Sequence, residues 1–302
     1  MTLLDNLPPA VTLYEVGPRD GLQNRADSIP TATKRRFIEL LAEARLPFIE
    51  VTSFVRPGSI PQLADAQEVA SALTRRDGIR YTALVPNERG MERVRDGLLD
   101  GIAVFTAASE TFSKRNTNAS IAETLERFTP VVSVAKQRGM WTRAYVSTAF
   151  GCPFEGEVPV SAVRKVTKQL LNLGIDEISI SDTIGVAVPS DVVRVIGSLG
   201  DLIEPSRLAL HFHDTRGTAL ANVLAGLQLG VHVYDSSAGG LGGCPYAPGA
   251  AGNLATEDLL YMLAGLSIET GVSLEGVVAA SRYLSEASGR SPSSRYYEAA
   301  TA

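Results

Sequence analysis

The chain has 302 residues, of which 45% are hydrophobic and 20% are charged, a composition that is typical of globular proteins and excludes disordered and fibrous chains. It contains 28 Lys and Arg residues and 33 Asp and Glu residues, which gives a formal net charge of -5. The sequence has no run of five like charges. This balance argues against nucleic acid as the main partner, because no basic tract is available to bind a polyanion.

The N-terminal lead-in, residues 1–10, has neither a basic start nor an apolar stretch of signal-peptide length. The longest apolar-rich stretches elsewhere reach about half of the roughly 20 residues that cross a bilayer. Two cysteines, Cys152 and Cys244, are too few for the disulfide framework of a small secreted domain, and no CxxC spacing indicates structural zinc. We therefore expect a cytoplasmic protein in a reducing compartment, without a membrane partner.

Eight short runs of β-branched or apolar residues, each closed by turn or polar residues, predict buried strands. In chain order they cover residues 11–16, 48–52, 81–85, 102–106, 142–147, 177–181, 208–212 and 232–235. Each run is followed by a segment with apolar residues at three- and four-residue spacing, which predicts a helix.

This alternation predicts an α/β fold, a (β/α)8 TIM barrel, over a catalytic domain at residues 11–280. Residues 281–302 are expected to form a loosely docked C-terminal tail with a small helical extension. The competing architecture is an open, doubly wound sheet. No GxGxxG motif follows the first strand, and eight regular units favour a closed barrel.

In such a barrel, functional side chains lie where the strands run into the following loops. Arg19 and Asp20 follow the first strand, Glu50 lies within the second and Asp182 ends the sixth. A charged residue in a buried strand needs a partner or a function. Structural roles are possible for each: a solvated ion pair for the first two, a buried Arg partner for Glu50, and a turn cap for Asp182.

The seventh strand carries two of the three histidines of the chain, His211 and His213. Because alternate strand residues point to the same side, the two imidazoles converge. Paired imidazoles with one or two oxygen ligands suit a divalent metal ion. The third histidine, His232, is expected to be packed or solvated.

A glycine-rich segment of small, uncharged residues follows the eighth strand at residues 236–253. Glycine permits sharp turns and close approach to a ligand, so the segment is expected to be an active-site loop. Cys244 in its middle is either a chance small hydrophobe or a proton donor or nucleophile. The amide oxygen of Asn253, near the start of the next helix, could complete a metal site.

The sequence resembles the hydroxymethylglutaryl-CoA lyases, and the resemblance runs in order from about residue 11 to residue 275. It is carried by the motifs EVGPRDGLQN at 15–24, IEVTSFV at 49–55, HFHDT at 211–215 and GGCPYA at 242–247. The Arg-Asp-Gly turn and the HxH pair are shared with isopropylmalate and homocitrate synthases and with carboxyltransferase domains. The loop cysteine is particular to the lyases.

The resemblance implies a set of roles for individual residues. A divalent ion, Mg2+ or Mn2+, would be held by Asp20, His211, His213 and Asn253. Arg19 would stabilise the enolate oxygen, and Glu50 would position Arg19. Asp182 would be an acid/base partner, and Cys244 would exchange a proton with the substrate.

The implied reaction is retro-Claisen cleavage of 3-hydroxy-3-methylglutaryl-CoA, or of a close 3-alkyl homologue, to acetyl-CoA and acetoacetate or the matching 3-oxo acid, as in leucine catabolism. Gln23 and Thr183 are candidate substrate-binding residues. Lys114, Arg115 and Asn116, just after the fourth strand, are candidates for binding the coenzyme A part of an acyl-CoA substrate. We also expect a homodimer or a higher homo-oligomer.

Two other functions stay open at this point. A Claisen-type synthase of the same superfamily would join an acyl-CoA to a 2-oxo acid, but the loop cysteine and the absence of a regulatory domain after the barrel argue against it. A metal- or CoA-binding regulatory protein would explain the metal ligands but not a glycine-rich loop that carries a thiol.

Overall fold

In the computed structural model, which describes residues 7–25, 27–243 and 252–302, eight parallel strands form a closed barrel. The strands are β1 Thr12–Glu15, β2 Phe48–Ser53, β3 Arg80–Leu84, β4 Gly101–Ala107, β5 Trp141–Ser147, β6 Glu177–Asp182, β7 Leu208–Phe212 and β8 Val233–Ser236. Each strand pairs with the next, and β8 returns to β1 with Val233 opposite Thr12. The predicted TIM barrel is confirmed, and each predicted strand boundary lies within one residue of the observed one.

Helices surround the barrel and connect the strands. In chain order they are α1 Thr31–Glu43, α2 Ala66–Ser71, α3 Glu88–Glu92, α4 Glu110–Thr117, α5 Ile121–Gln137, α6 Val160–Asn172, α7 Pro189–Gly197, α8 Ala219–Gln228, α9 Thr256–Gly265, α10 Leu274–Ser288 and α11 Arg295–Thr301. Within the described ranges, none of these helices combines the length and the apolarity that a membrane span requires.

The helices pack on the barrel through the apolar faces that the sequence spacing predicts. In α1, the buried face is formed by Phe37, Ile38 and Leu41, at one-, three- and four-residue spacing. Helix α5 begins with a capping box, in which the Ser120 hydroxyl accepts the N–H of Glu123 and the Glu123 carboxylate accepts the N–H of Ser120. This exchange satisfies backbone donors that the first helical turn leaves free.

The C-terminal region differs from the predicted tail. Helix α10 runs through the predicted boundary at residues 280 and 281 and packs against α1. Beyond it, the backbone N–H of Ser293 donates to the carbonyl oxygen of Gly239 at 2.8 Å, and the Ser294 hydroxyl donates to Asp258 at 2.7 Å. The segment is therefore docked on the chain that follows β8. The sequence did not reveal this docking, because serine hydroxyls and backbone groups have no distinctive pattern.

The interior of the barrel is polar as well as apolar. Arg143 of β5 is completely buried, and its guanidinium lies 3.8 Å from the ring centre of Tyr14 of β1. It also donates to Asp235 of β8, so its side chain bridges strands on different sides of the barrel. The hydroxyl groups of Tyr14 and Thr82 form a 2.6 Å hydrogen bond nearby.

Candidate metal centre and active site

A turn at the carboxyl end of β1 carries the first two site residues. One turn of π-helix, Gly17–Gly21, contains Arg19 and Asp20. Glu15, the last residue of β1, accepts the N–H of the first residue of this turn at 2.8 Å and the N–H of Ala238, after β8, at 2.9 Å. The buried Glu15 carboxylate therefore fixes the turn to the neighbouring segment.

Three potential metal ligands converge at this end of the barrel. His211 and His213 are buried and the Asp20 side chain is 13% exposed, and the ligand atoms of the three lie within 4.8 Å of one another. His211 belongs to β7 and His213 follows its end, with Phe212 between them on the opposite face in the core. Strand alternation thus brings both imidazoles to the carboxylate from the first turn.

Asn253, in the segment before α9, contacts this group. It forms an isolated bridge with His213, and its Nδ2 donates to Oδ2 of Asp20 and to the carbonyl oxygen of Leu241, both at 2.9 Å. These two bonds fix the amide orientation. Among the described residues, Asn253 Oδ1 and His213 Nδ1 are buried atoms that find no hydrogen-bond partner.

The charge states of His213 and Asp20 favour the binding of a cation. Burial, helped by His211, lowers the pKa of His213 to about 4, so its imidazole is neutral at neutral pH and keeps a lone pair. Burial raises the pKa of Asp20, but Arg19 and the two histidines outweigh burial and hold that pKa below its usual range. A carboxylate, two imidazoles and an unpaired amide oxygen fit a divalent metal ion.

Arg19 is held on several sides beside this group. Its Nε donates to Oε2 of Glu50 at 2.5 Å, and its Nη1 donates to Oδ1 of Asp20 at 2.7 Å. The guanidinium carbon lies 5.2 Å from the ring centre of Tyr145, whose hydroxyl donates to the same Glu50 oxygen at 3.2 Å. Burial lowers the pKa of Arg19, but Glu50 and Asp20 reverse the effect and raise it. The cation is thus permanent and fixed in position.

A cavity of about 510 Å3 opens over these residues. Polar residues that line it include Arg19, Asp20, Gln23, Thr183, His211 and His213, and apolar ones include Leu84, Phe105, Phe112 and Phe128. Gln23 donates to Oδ1 of Asp20 at 2.6 Å, and Thr183 accepts the N–H of Thr148 at 2.8 Å. A lining of both polar and apolar side chains suits a ligand with charged and hydrocarbon parts.

The three residues proposed to bind coenzyme A occupy different surroundings. Asn116 lines the cavity, whereas neither Lys114 nor Arg115 is among the described lining residues. Arg115 lies instead over the ring of Phe154, at 4.2 Å from its centre. Sequence reasoning missed two cations that do line the cavity, Arg56 and Arg127. Arg56 follows β2 and could have been found from that position, but Arg127 is an ordinary exposed arginine of α5.

Asp182 does not join the metal group. In the β6–β7 pairing, Ser181 lies beside His211 and Asp182 beside Phe212, so the carboxylate is on the opposite face of the strand. Its two oxygens accept the backbone N–H groups of Val186 and Ala187, at 3.0 and 2.9 Å. Asp182 is absent from the described cavity lining; burial raises its pKa, against the lowering effect of these two N–H groups and of His211.

Sequence reasoning gave no role to a carboxylate that does contact the site. Asp235 of β8 is buried, and its Oδ2 lies 3.1 Å from Nδ1 of His211. Its signal in the sequence is the same as that of Asp182, namely a carboxylate near the end of a strand. Only the direction of the side chain separates the two, and strand boundaries from sequence are not precise enough to decide it.

Cys244, the candidate proton donor, lies outside the described residues. The described residue before it, Gly243, lines the cavity, and its carbonyl oxygen accepts the side-chain amide of Asn24 at 2.7 Å. The other cysteine, Cys152, is buried with its sulfur 3.1 Å from the hydroxyl of Ser109.

The chain is similar to known proteins along nearly its whole length. A family model described as HMGL-like matches residues 10–284. A hydroxymethylglutaryl-CoA lyase of Bacillus subtilis is 48% identical over 288 residues, which cover 95% of this chain and 96% of that protein. A 3-hydroxy-3-isohexenylglutaryl-CoA/hydroxy-methylglutaryl-CoA lyase of Pseudomonas aeruginosa is 47% identical, over 96% of this chain and 97% of the other.

A solved structure is also closely similar. An HMG-CoA lyase of Acinetobacter baumannii, in complex with coenzyme A and 3-methylmalate, superposes with a TM-score of 0.92 at 37% identity. The match covers 96% of this chain and 95% of that one.

Proposed function

The chain belongs to the HMGL-like family, and we propose that it cleaves 3-hydroxy-3-methylglutaryl-CoA to acetyl-CoA and acetoacetate. It is a carbon–carbon lyase, and the Claisen-type synthase and the regulatory protein are set aside. One observation carries the assignment: a chain 48% identical to a hydroxymethylglutaryl-CoA lyase brings Arg19, Asp20, His211 and His213 to one cavity.

The proposed metal ligands are a carboxylate oxygen of Asp20, the imidazoles of His211 and His213, and Oδ1 of Asn253. The unpaired Asn253 Oδ1 supports this set, because a buried amide oxygen without a partner costs about 1–3 kcal/mol. We propose Mg2+ or Mn2+, since the mixed oxygen and nitrogen donors suit either ion. When bound, such an ion supplies Lewis-acid stabilisation of charge on substrate oxygens.

Arg19 stabilises the charge that develops as the substrate breaks. The bond between C2 and C3 of the acyl chain breaks, and its electron pair moves through C2 onto the thioester oxygen as an enolate. The guanidinium is held by Glu50 and Asp20 before the reaction, so little reorganisation is needed when the charge appears. Glu50 acts by positioning Arg19, not by contacting the substrate.

Two proton transfers accompany the cleavage. The C3 hydroxyl loses its proton as the ketone of acetoacetate forms, and C2 gains a proton to give acetyl-CoA. We propose Cys244 as the donor to C2, because Gly243 immediately before it lines the cavity. We propose Asp182 as an acid/base partner whose two oxygens are held by the backbone N–H groups of Val186 and Ala187.

The cavity lining supports an acyl-CoA substrate. Gln23 and Thr183 line the cavity, and Asn116, Arg56 and Arg127 offer donors for the amides and phosphates of coenzyme A. The likeness to a lyase solved with coenzyme A agrees with this placement. A cytoplasmic location and a homo-oligomeric assembly are further proposals, which cell fractionation and analytical ultracentrifugation test.

The experiment is to incubate the enzyme with Mg2+ and 3-hydroxy-3-methylglutaryl-CoA, and to separate the products by chromatography. We expect acetyl-CoA and acetoacetate in equal amounts. A parallel incubation with the 3-isohexenyl homologue measures whether the cavity accepts a longer alkyl group; the Pseudomonas relative is named for both substrates. Absence of acetyl-CoA from both incubations would overturn the assignment.

A further inference from the structure

A chain of buried polar groups runs across the barrel and ends on a proposed metal ligand. Nη2 of Arg143 donates to Oδ1 of Asp235, and Oδ2 of Asp235 lies 3.1 Å from Nδ1 of His211. The hydroxyl of Ser179 donates to the same Oδ2, also at 3.1 Å. These four residues come from β5, β8, β7 and β6, so the contacts connect four strands.

We propose that Asp235 is a positioning residue that holds Nδ1–H of His211 and leaves Nε2 of that imidazole unprotonated toward the metal site, and that Arg143 fixes Asp235 for this task. The inference rests on the metal-dependent activity proposed above. Asp235 has no hydrogen to donate as a carboxylate, so the imidazole must donate from Nδ1. A carboxylate behind a metal-ligating histidine sets both the tautomer and the ring orientation.

The two oxygens of Asp235 contact different partners, which distinguishes its proposed role from that of a simple ion pair. One oxygen faces Arg143, and the other faces His211 and Ser179. Arg143 also has a second carboxylate near it, Glu177, at 3.2 Å from Nε. Glu177 therefore shares the cation with Asp235, but no described contact joins it to His211. The chain thus contains a matched control carboxylate.

The geometry predicts a specific effect of the substitution Asp235→Asn. Arg143 can only donate, so it selects the oxygen of the new amide and turns the NH2 group toward His211. The NH2 group would then donate to Nδ1 and force the proton of His211 onto Nε2. That tautomer cannot bind a metal through Nε2, although the size and shape of the residue are unchanged. Serine proteases provide a precedent: replacing the aspartate behind the catalytic histidine by asparagine lowers kcat because the histidine adopts the wrong tautomer.

The test measures Mn2+ binding to the full-length protein by isothermal titration and by the electron paramagnetic resonance of free Mn2+. We expect Asp235→Asn to weaken Mn2+ binding by about 10- to 100-fold while the circular dichroism spectrum is retained. Glu177→Gln should bind Mn2+ as the native protein does. Native-like Mn2+ affinity in Asp235→Asn, or an equal loss in Glu177→Gln, would overturn the proposal.

A second measurement reads the tautomer in the native, metal-free protein and so does not depend on how Asp235→Asn and Glu177→Gln fold. With only three histidines in the chain, 15N-histidine labelling gives few resonances, which His213→Gln and His232→Gln assign by removal. Above pH ~8, where free imidazoles are neutral, we expect His211 to show a protonated Nδ1 and an unprotonated Nε2. The opposite tautomer, or a mixture of both, would overturn the proposal.

The tautomer measurement and the lyase assay together separate this inference from the proposed function. A correct His211 tautomer in a protein without lyase activity would refute the reaction and leave the positioning role standing. An active lyase with the opposite tautomer would refute the positioning role alone.

Discussion

Asn253 donates its side-chain amide to Asp20 at 2.9 Å, and its own Oδ1 is a buried oxygen for which the described residues supply no donor. The second donation, to the carbonyl oxygen of Leu241, prevents the amide from flipping. A residue 233 positions away from Asp20 in the chain thus contacts one of the three potential metal ligands and carries an unpaired oxygen that could serve as a fourth.

The first prediction concerns Asn253→Ala. Loss of the amide oxygen should weaken Mn2+ binding by at least ~10-fold, because one ligand is removed and Asp20 loses a donor. The measurement is Mn2+ titration of the purified variant. Asn222→Ala is the matched control, since Asn222 is also buried with an Oδ1 that has no partner in the described structure, but it lies on α8. Equal Mn2+ affinities for the two variants would contradict the ligand role.

Arg19→Lys tests the electrostatic role of the guanidinium. Lysine keeps the charge but cannot contact Glu50 and Asp20 together through a planar fork. We expect kcat to fall by about 100- to 1000-fold with little change in Mn2+ affinity. The exposed Arg115→Lys should leave kcat unchanged. A native kcat in Arg19→Lys would show that only the net charge matters.

The two cysteines provide a paired test of proton donation. Cys244→Ser should lower kcat by about 100-fold or more, because a serine hydroxyl is a far weaker acid than a thiol. Its Mn2+ affinity should stay native. Cys152→Ser changes the buried sulfur beside Ser109 and should reduce thermal stability without reducing kcat. Full turnover in Cys244→Ser, measured by acetyl-CoA release, would exclude Cys244 as the donor.

Glu257 predicts a particular dependence of stability on pH. Burial raises the pKa of this carboxyl from 4.5 to about 7, against the hydrogen bonds from Ser281 and Gly239, which lower it. A pKa that is raised by folding means that the protonated form is favoured in the folded state. The contribution of Glu257 to the free energy of unfolding is therefore fully present below pH 4.5. It is lost as the pH rises to about 7, and the loss is about 3 kcal/mol at most.

The variant Glu257→Gln cannot ionise, so it should gain stability relative to the native protein as the pH rises from 4.5 to 7. Urea unfolding at several pH values measures this difference. Glu269→Gln, at an exposed position, is the control for the loss of a carboxyl group elsewhere in the chain. A flat difference for Glu257→Gln would mean that its carboxyl titrates near its ordinary pKa in the folded protein.

The parts of the structure that follow from local patterns were predictable. The strand before His211 is a short apolar run, and the alternation of side chains along it predicts that His211 and His213 share a face. The turn with Arg19 and Asp20 was found because strand ends carry function in a barrel.

Residues whose role depends on a distant partner were not predictable. Asp182 and Asp235 both lie at strand ends, but Asp182 faces backbone N–H groups and Asp235 faces His211. A shift of one residue in the pairing register moves a side chain to the other face of the sheet, and the sequence does not define the register, so it cannot separate them. The docking of Ser293 on Gly239 depends on tertiary contacts that have no sequence motif.

The most direct test of a metal-dependent lyase compares two histidine variants. His213→Ala and His232→Ala are each incubated with Mg2+ and 3-hydroxy-3-methylglutaryl-CoA, and acetyl-CoA release is followed. We expect His213→Ala to lose Mn2+ binding and activity with a native circular dichroism spectrum, because the ligand lies at the barrel mouth, and His232→Ala to keep both. Acetyl-CoA release by His213→Ala at the rate of His232→Ala would contradict the account.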